Sequence, residues 1–150
     1  MLFCFHAITG KELWKHTFAG EKSRKHRDNS FASSTPTSDA NHVYVYWGGA
    51  KKCTVQAVTH EGKKVWEVDL PGFRSGHGFG PSLIVHDDVL IVPHDQGGRG
   101  SLIGLECKTG KEKWKTPRKG KASWSTPCVY RSKSGKDQII FTNYEHGVTS

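Results

Sequence analysis

The sequence predicts an all-β fold made of short four-stranded antiparallel units that repeat along the chain. Three observations carry that prediction. The stretch Thr9-Gly10-Lys11-Glu12-Leu13-Trp14 returns as Thr109-Gly110-Lys111-Glu112-Lys113-Trp114, and a looser copy, Glu61-Gly62-Lys63-Lys64-Val65-Trp66, lies between them, so the tryptophans stand 52 and 48 residues apart. Pro36, Pro81 and Pro127 keep a similar period, 45 and 46 residues. Seventeen glycines and 11% aromatic residues, without any long helical periodicity, favour many short strands and turns.

The elements follow in order. Leu2 to Ala7 alternates as a strand, Ile8 to Lys11 makes a tight turn, and Glu12 to Phe18 forms a second strand with Trp14, His16 and Phe18 on one face. Residues 19–30 are polar and aperiodic and read as a loop. Phe31 to Thr37 is expected to be a short strand of small residues, with turn chemistry at Ser38 to Asn41. His42 to Trp47 and Cys53 to Val58 are β-rich runs on either side of Gly48-Gly49, and Lys64 to Leu70 carries Trp66. The cycle restarts at Phe79 to Val85, turns at Asp87-Asp88, and continues through Val89 to Val92, Leu102 to Glu106 and Glu112 to Lys115. It opens again with Trp124 to Tyr130 and Gln138 to Thr142. These boundaries give the last two strands of one unit (1–18), two complete units (31–70 and 77–116) and the first half of a further one (123–150).

A four-stranded sheet with two apolar faces cannot bury both alone. Radial stacking of such sheets around an axis buries them and leaves only short edges, which is a β-propeller. The small-residue stretches suit the crowded axis, and each tryptophan is placed to dock on the neighbouring blade. Gly10, Gly62 and Gly110 supply the positive φ of the turns before Trp14, Trp66 and Trp114, which makes these six residues a structural docking set. Joined end to end the chain makes about three blades, whereas propellers need about four to eight. The expectation is therefore a segment of a longer propeller, or a protomer that assembles.

Composition excludes several classes. A hydrophobic content of 35% with 24% charged residues fits a globular chain, and no apolar run approaches the ~20 residues that span a bilayer. Met1 to Phe5 lacks a basic leader and a cleavage site, so no signal peptide is visible. Cys4, Cys53, Cys107 and Cys128 include no CxxC and no adjacent pair, which argues against a zinc knuckle or haem attachment. The first three read as small buried residues in equivalent strands. No HExxH or nucleophile elbow occurs, and Gly76-His77-Gly78-Phe79-Gly80 opens no helix, so it is not read as a nucleotide loop.

Three groups are candidate sites. His77 and His94 are expected at the same end of one blade, and with Asp95 they are a candidate divalent-metal set. Ser33, Ser34, Thr35, Gly78, Phe79, Trp124, Ser125 and Thr126 are candidates to line the central channel and hold a small ligand or peptide, against the plainer role of packing a crowded axis. The net charge of +8 concentrates in Lys108 to Lys121, seven basic residues against Glu112, and in Lys22 to Arg27. Lys115, Arg118, Lys119 and Lys121 are candidate anion-binding residues, against the plainer reading of solvated side chains on outer strands.

Cys4 to Trp14 resembles the tryptophan-docking repeat of pyrroloquinoline-quinone (PQQ) propellers, Ala-x-Asp-x-x-x-Gly-Lys-x-x-Trp. Gly104 to Trp114 resembles it too, with Glu106 at the Asp position. In the middle copy Val58 takes that position and Glu61 replaces Thr, so a looser turn is expected there. Asn29 to Pro36 and Trp124 to Pro127 are similar to the non-dehydrogenase, BamB-like branch. The resemblance implies a non-catalytic scaffold that binds a protein partner or an extracytoplasmic polymer, in a periplasmic or membrane-associated setting, with the remaining blades supplied by the full-length chain or an oligomer. Nucleic acid is not an expected partner. Quinoprotein dehydrogenases, the alternative it implies, use a vicinal disulfide, a calcium ion and a catalytic Asp. This chain has no Cys-Cys pair and no matching carboxylate, so PQQ and calcium are expected only if other blades supply their site. The reading thus leans against an enzyme; were it one, it would be a PQQ-dependent oxidoreductase.

Overall fold

The computed structural model describes residues 1–20, 26–28, 30, 33–143, 145 and 147–149. The expected strand start at Phe31 and Ala32, Asn29 of the resemblance, and most of the Lys22 to Arg27 run lie outside the described residues. Among the described residues the chain is all strand and turn, with no helix. Four antiparallel sheets follow one another. The first pairs β1 (Leu2–Phe5) with β2 (Glu12–His16). The second orders β3 (Thr37–Ser38), β4 (His42–Gly48), β5 (Lys52–Thr59) and β6 (Lys64–Pro71). The third orders β7 (Ile84–His86), β8 (Val89–His94), β9 (Gly100–Glu106) and β10 (Glu112–Arg118), and the fourth holds β11 (Cys128–Tyr130), β12 (Gln138–Asn143) and β13 (Gly147–Thr149). Each sheet is a simple meander, and together they form a stretch of propeller that does not close into a ring.

Sheet faces follow the period-two pattern. Tyr44, Tyr46, Val55, Ala57 and Trp66 bury against Leu90, Val92, Ile103 and Leu105 of the third sheet. The other face of the second sheet, Val45 and Val58, packs with Leu2, Trp14, Phe18 and Trp47, and Phe18 stacks on Trp47 at 4.2 Å. Every residue from Cys53 to Val58 is buried, because β5 has a sheet on each side. Each such aliphatic side chain contributes about 1.5–3 kcal/mol, so contacts between sheets carry more of the stability than strand pairing, which alone is marginal.

The repeat motif works across these seams. The Trp14 indole N–H donates to the His60 carbonyl at 2.8 Å, and that of Trp66 donates to the Cys107 carbonyl at 2.8 Å. The ring of Trp14 lies on Gly62 and the ring of Trp66 on Gly110, whose φ angles are 82° and 74°. A Cβ on Gly110 would stand 2.7 Å from the Trp66 ring. Opposite each tryptophan in its own sheet stands a small residue: Cys4 beside Trp14, Ala57 beside Trp66 and Gly104 beside Trp114.

Several expectations need correction. The small-residue stretches are not strands: β3, β7 and β11 begin only at Thr37, Ile84 and Cys128. Proline has no N–H for a ladder, and Pro36 and Pro127 stand immediately before β3 and β11. Pro93 in β8 has the same effect, since β7 pairs no further along β8 than Ile91. The last sheet has a third strand, β13, beyond the two read from sequence. Cys4, Cys53 and Cys107 are not equivalent, since Cys53 pairs with Leu70 and Cys107 sits in a turn. The middle docking turn is not looser either. It is one residue shorter, so Thr59 rather than Val58 occupies the position of His6 and Glu106. Its amide donates to the Lys63 carbonyl at 2.8 Å, and its hydroxyl accepts from the Glu61 and Lys63 amides.

Gly10 has the same turn and a φ of 67°, yet a Cβ there would meet no heavy atom within 4 Å. Gly10→Ala should therefore cost only the left-handed backbone penalty, about 1–2 kcal/mol, while Gly110→Ala should cost about 1–3 kcal/mol more through its clash with Trp66. Urea denaturation of the two variants compares them, and equal losses would show that the docked ring does not hold the seam.

Candidate functional site

The residues that lead into β3, β7 and β11 lie side by side. The Ser34 hydroxyl donates to the Pro81 carbonyl at 2.6 Å, and the Thr35 amide donates to the Ser82 hydroxyl at 3.0 Å. The Trp124 indole N–H donates to the Gly78 carbonyl at 2.9 Å, and its ring lies against Gly80, as does Ser33. The Ser125 hydroxyl accepts from Thr142 at 2.6 Å. Phe79 packs against the core cluster, contacting Tyr46 and Phe73 edge-on at 4.6 and 5.4 Å. Ser34, Thr35, Trp124 and Ser125 thus tie one lead-in segment or strand to the next, while Ser33 and Thr126 are exposed.

The metal candidates separate. His77 is exposed, with its ring edge-on to Trp124 at 5.6 Å. His94 and Asp95 are both 2% exposed, and each is engaged elsewhere. Gln96 Oε1 accepts from the Arg74 amide at 3.1 Å, which orients its NH2 towards His94 Nε2 at 3.3 Å. His94 Nε2 is therefore the acceptor, its proton sits on Nδ1, and Nδ1 donates to the Tyr46 hydroxyl at 2.5 Å. Burial, and then the charge of Lys115, lower the His94 pKa from 6.5 to about 4. A protonated ring would also present a donor to the Gln96 NH2. Burial likewise raises the Tyr46 hydroxyl well above its usual range and takes the Cys53 thiol up to about 11. None of the three titrates near neutrality.

Asp95 accepts from Arg118 Nε at 2.9 and 3.1 Å and from Asn143 Nδ2 at 2.8 Å, and the Arg118 guanidinium lies 5.1 Å from the Phe141 ring centroid. This cluster clamps the third sheet to the fourth. It also removes Arg118, only 17% exposed in its side chain, from the surface cation set. Lys115, Lys119 and Lys121 are exposed, and the Lys121 carbonyl accepts from Asn143 at 3.1 Å. Among the described residues no group of three His, Cys, Asp or Glu side chains is placed to hold a metal ion. The only fully buried carboxylate among the described residues is already bonded to Arg118 and Asn143, and Cys53 and Cys107 are separate free thiols. The described residues by themselves do not fit a PQQ and calcium site.

Sequence reasoning missed Tyr46, Gln96 and Asn143 as members of this network. A signal existed, because Tyr46 and His94, and again Asp95 and Asn143, are 48 residues apart, at the ends of the second strands of successive sheets.

Asp95→Ala leaves Arg118 buried without its counter-charge and should cost about 3–5 kcal/mol in chemical denaturation. The His94 shift has a definite sign. Its folded pKa lies below the unfolded value of 6.5, so its contribution is complete above 6.5 and is lost as pH falls towards 4. Stability measured across that window should fall less steeply in His94→Gln than in the parent, and parallel curves would overturn the assignment.

A family model described as outer membrane protein assembly factor BamB, of the PQQ-repeat type, matches residues 1–149. No curated protein sequence matches the chain. Among solved structures the chain is similar to a europium-containing methanol dehydrogenase, with a TM-score of 0.53 at 14% identity over 73% of this chain. It spans 19% of that protein, a likeness that shows the propeller fold alone. With the family model covering nearly every residue of these repeated sheets, the chain belongs to the BamB-type PQQ-repeat β-propeller family.

Proposed function

We propose that the chain is a non-catalytic scaffold segment of a larger BamB-type propeller, working outside the cytoplasm to hold a protein partner. The observation that carries this is the outward face of the first sheet. Phe3, Phe5 and Leu13 are 43%, 55% and 54% exposed, and Phe3 and Phe5 stack at 6.1 Å beside the uncovered Gly10 turn and an Ile8 that is 90% exposed. Exposed apolar surface of this kind marks protein contact. At the first two seams such a surface is covered by a neighbouring sheet and its glycine by a tryptophan. The occupant that fits is a further blade, from the remainder of a longer chain or from a second copy. The printed description of the family as an assembly factor supports a protein-binding role.

A quinoprotein dehydrogenase reading draws only on the family's relation to PQQ proteins, and the network around Asp95 gives it no site. No helix among the described residues is long and apolar enough to cross a membrane.

Sedimentation velocity should show concentration-dependent association of this chain, weakened at least roughly tenfold in a Phe3→Ser, Phe5→Ser double variant, given about 1.5–3 kcal/mol per buried aromatic. A monomer at every concentration sinks the proposed contact surface. Dye reduction by the chain with PQQ, calcium and an alcohol would sink the non-catalytic reading.

A further inference from the structure

We propose that the cleft between the second and third sheets, at the end where β4 turns into β5, binds a phosphate-type oxyanion carried on a small molecule or a headgroup. The cleft is open, has a volume of about 750 Å³ and is lined by Lys51, Arg74 and Arg99 together with Gln96 and Gly97. The three cations come from three connections, β4–β5, β6–β7 and β8–β9, and among the described residues that line the cleft none is a carboxylate.

Their convergence is built into the backbone. The Phe73 amide donates to the Gly49 carbonyl at 2.8 Å, and Gly72 lies so close to Ala50 that a side chain on it would overlap that residue's carbonyl. These contacts fix the Lys51 turn against the Arg74 segment. The Arg74 amide donates to Gln96 Oε1 at 3.1 Å, and the Gly97 amide donates to the Arg74 carbonyl at 3.3 Å, fixing that segment against the Arg99 loop. Three loops tied together in this way bring like charges to one place at the surface, an arrangement that an anion stabilises.

Net positive charge alone does not produce this pattern. The opposite end of the same seam gathers four carboxylates, Asp39, Asp87, Asp88 and Glu106, against Lys108 around a second cleft, with Asp88 paired to Lys113. Charge is therefore sorted along the seam rather than spread over it. The cleft is larger than a bare oxyanion fills, which leaves room for the molecule that carries it. Arg is suited to the role because its planar fork meets two oxygens at once.

The site is distinct from the Lys115 to Lys121 stretch and does not depend on the scaffold reading. Its test uses inorganic phosphate as the first probe, with binding followed by calorimetry at low ionic strength. Arg74→Gln with Arg99→Gln should weaken binding by roughly 10- to 100-fold, the equivalent of one or two charge-assisted hydrogen bonds. The charge-matched control Lys133→Gln with Lys136→Gln should leave it unchanged. Both pairs are exposed, so unchanged thermal melting checks that the variants fold. Vesicles of phosphatidylglycerol against phosphatidylcholine form the second arm, and binding lost with the arginines there identifies a headgroup as the source. Binding of neither probe, or binding that falls equally in both double variants, overturns the site.

Discussion

The docked tryptophan is the contact on which the rest of the structure depends. A four-stranded sheet with two apolar faces is stable only between neighbours, and the indole joins neighbours in two ways. Its ring covers a turn glycine of the next sheet, and its N–H satisfies a turn carbonyl there. Both require a flat approach, which explains the small residue opposite each tryptophan. Cys4, Ala57 and Gly104 leave room for the ring to lie across its own sheet before it reaches the next. The glycine does a second job, since its left-handed φ lets the turn close tightly enough to form the seat.

The successive seams are closed by different chemistry. The first is largely apolar, with Leu2, Val45, Val58, Phe18 and Trp47. The second adds a buried polar chain from Gln96 through His94 to Tyr46. The third uses Arg118, Asp95 and Asn143. A buried ion pair is worth little against an apolar equivalent but is costly to halve, so its effect is to fix alignment. Arg118 donates to Asp95 and lies over Phe141, while Asp95 also accepts from Asn143, and meeting these contacts together sets the third sheet against the fourth.

How much of this was legible from sequence depended on whether the signal was periodic. The Thr-Gly-Lys motif, the proline period and the alternating strands gave the all-β architecture and most of β1, β2, β4 to β6 and β8 to β10. The first strands were misread because β-propensity in Ser, Thr and Ala says nothing about ladder donors, and Pro36 and Pro127 remove one where the strand was expected. The middle turn was misaligned because glycine was used as its anchor, whereas the small residue opposite the tryptophan keeps the register when a turn shortens. His94 and Asp95 looked like ligands because a sequence shows donors without showing their partners. Arg118 was readable by parity, since it stands an even number of residues from Trp114 and so points with it towards the next sheet.

The same parity explains why a run of charge in this chain is a poor guide to a charged site. Lys113 and Lys115 share the face of β10 turned away from Trp114, and Lys113 there meets Asp88 at 2.6 Å. Arg118, from the same run, turns inward and is neutralised by Asp95. A strand spreads its charges along 3.3 Å steps and over two faces, whereas connections from different strands can bring theirs to one point. Lys51, Arg74 and Arg99 form no run, and each stands in a different connection, yet backbone bonds between those connections gather them in one cleft. In a stack of sheets, charge convergence is a property of the loops at a seam. It becomes visible only once the order of the sheets and the ties between their turns are known.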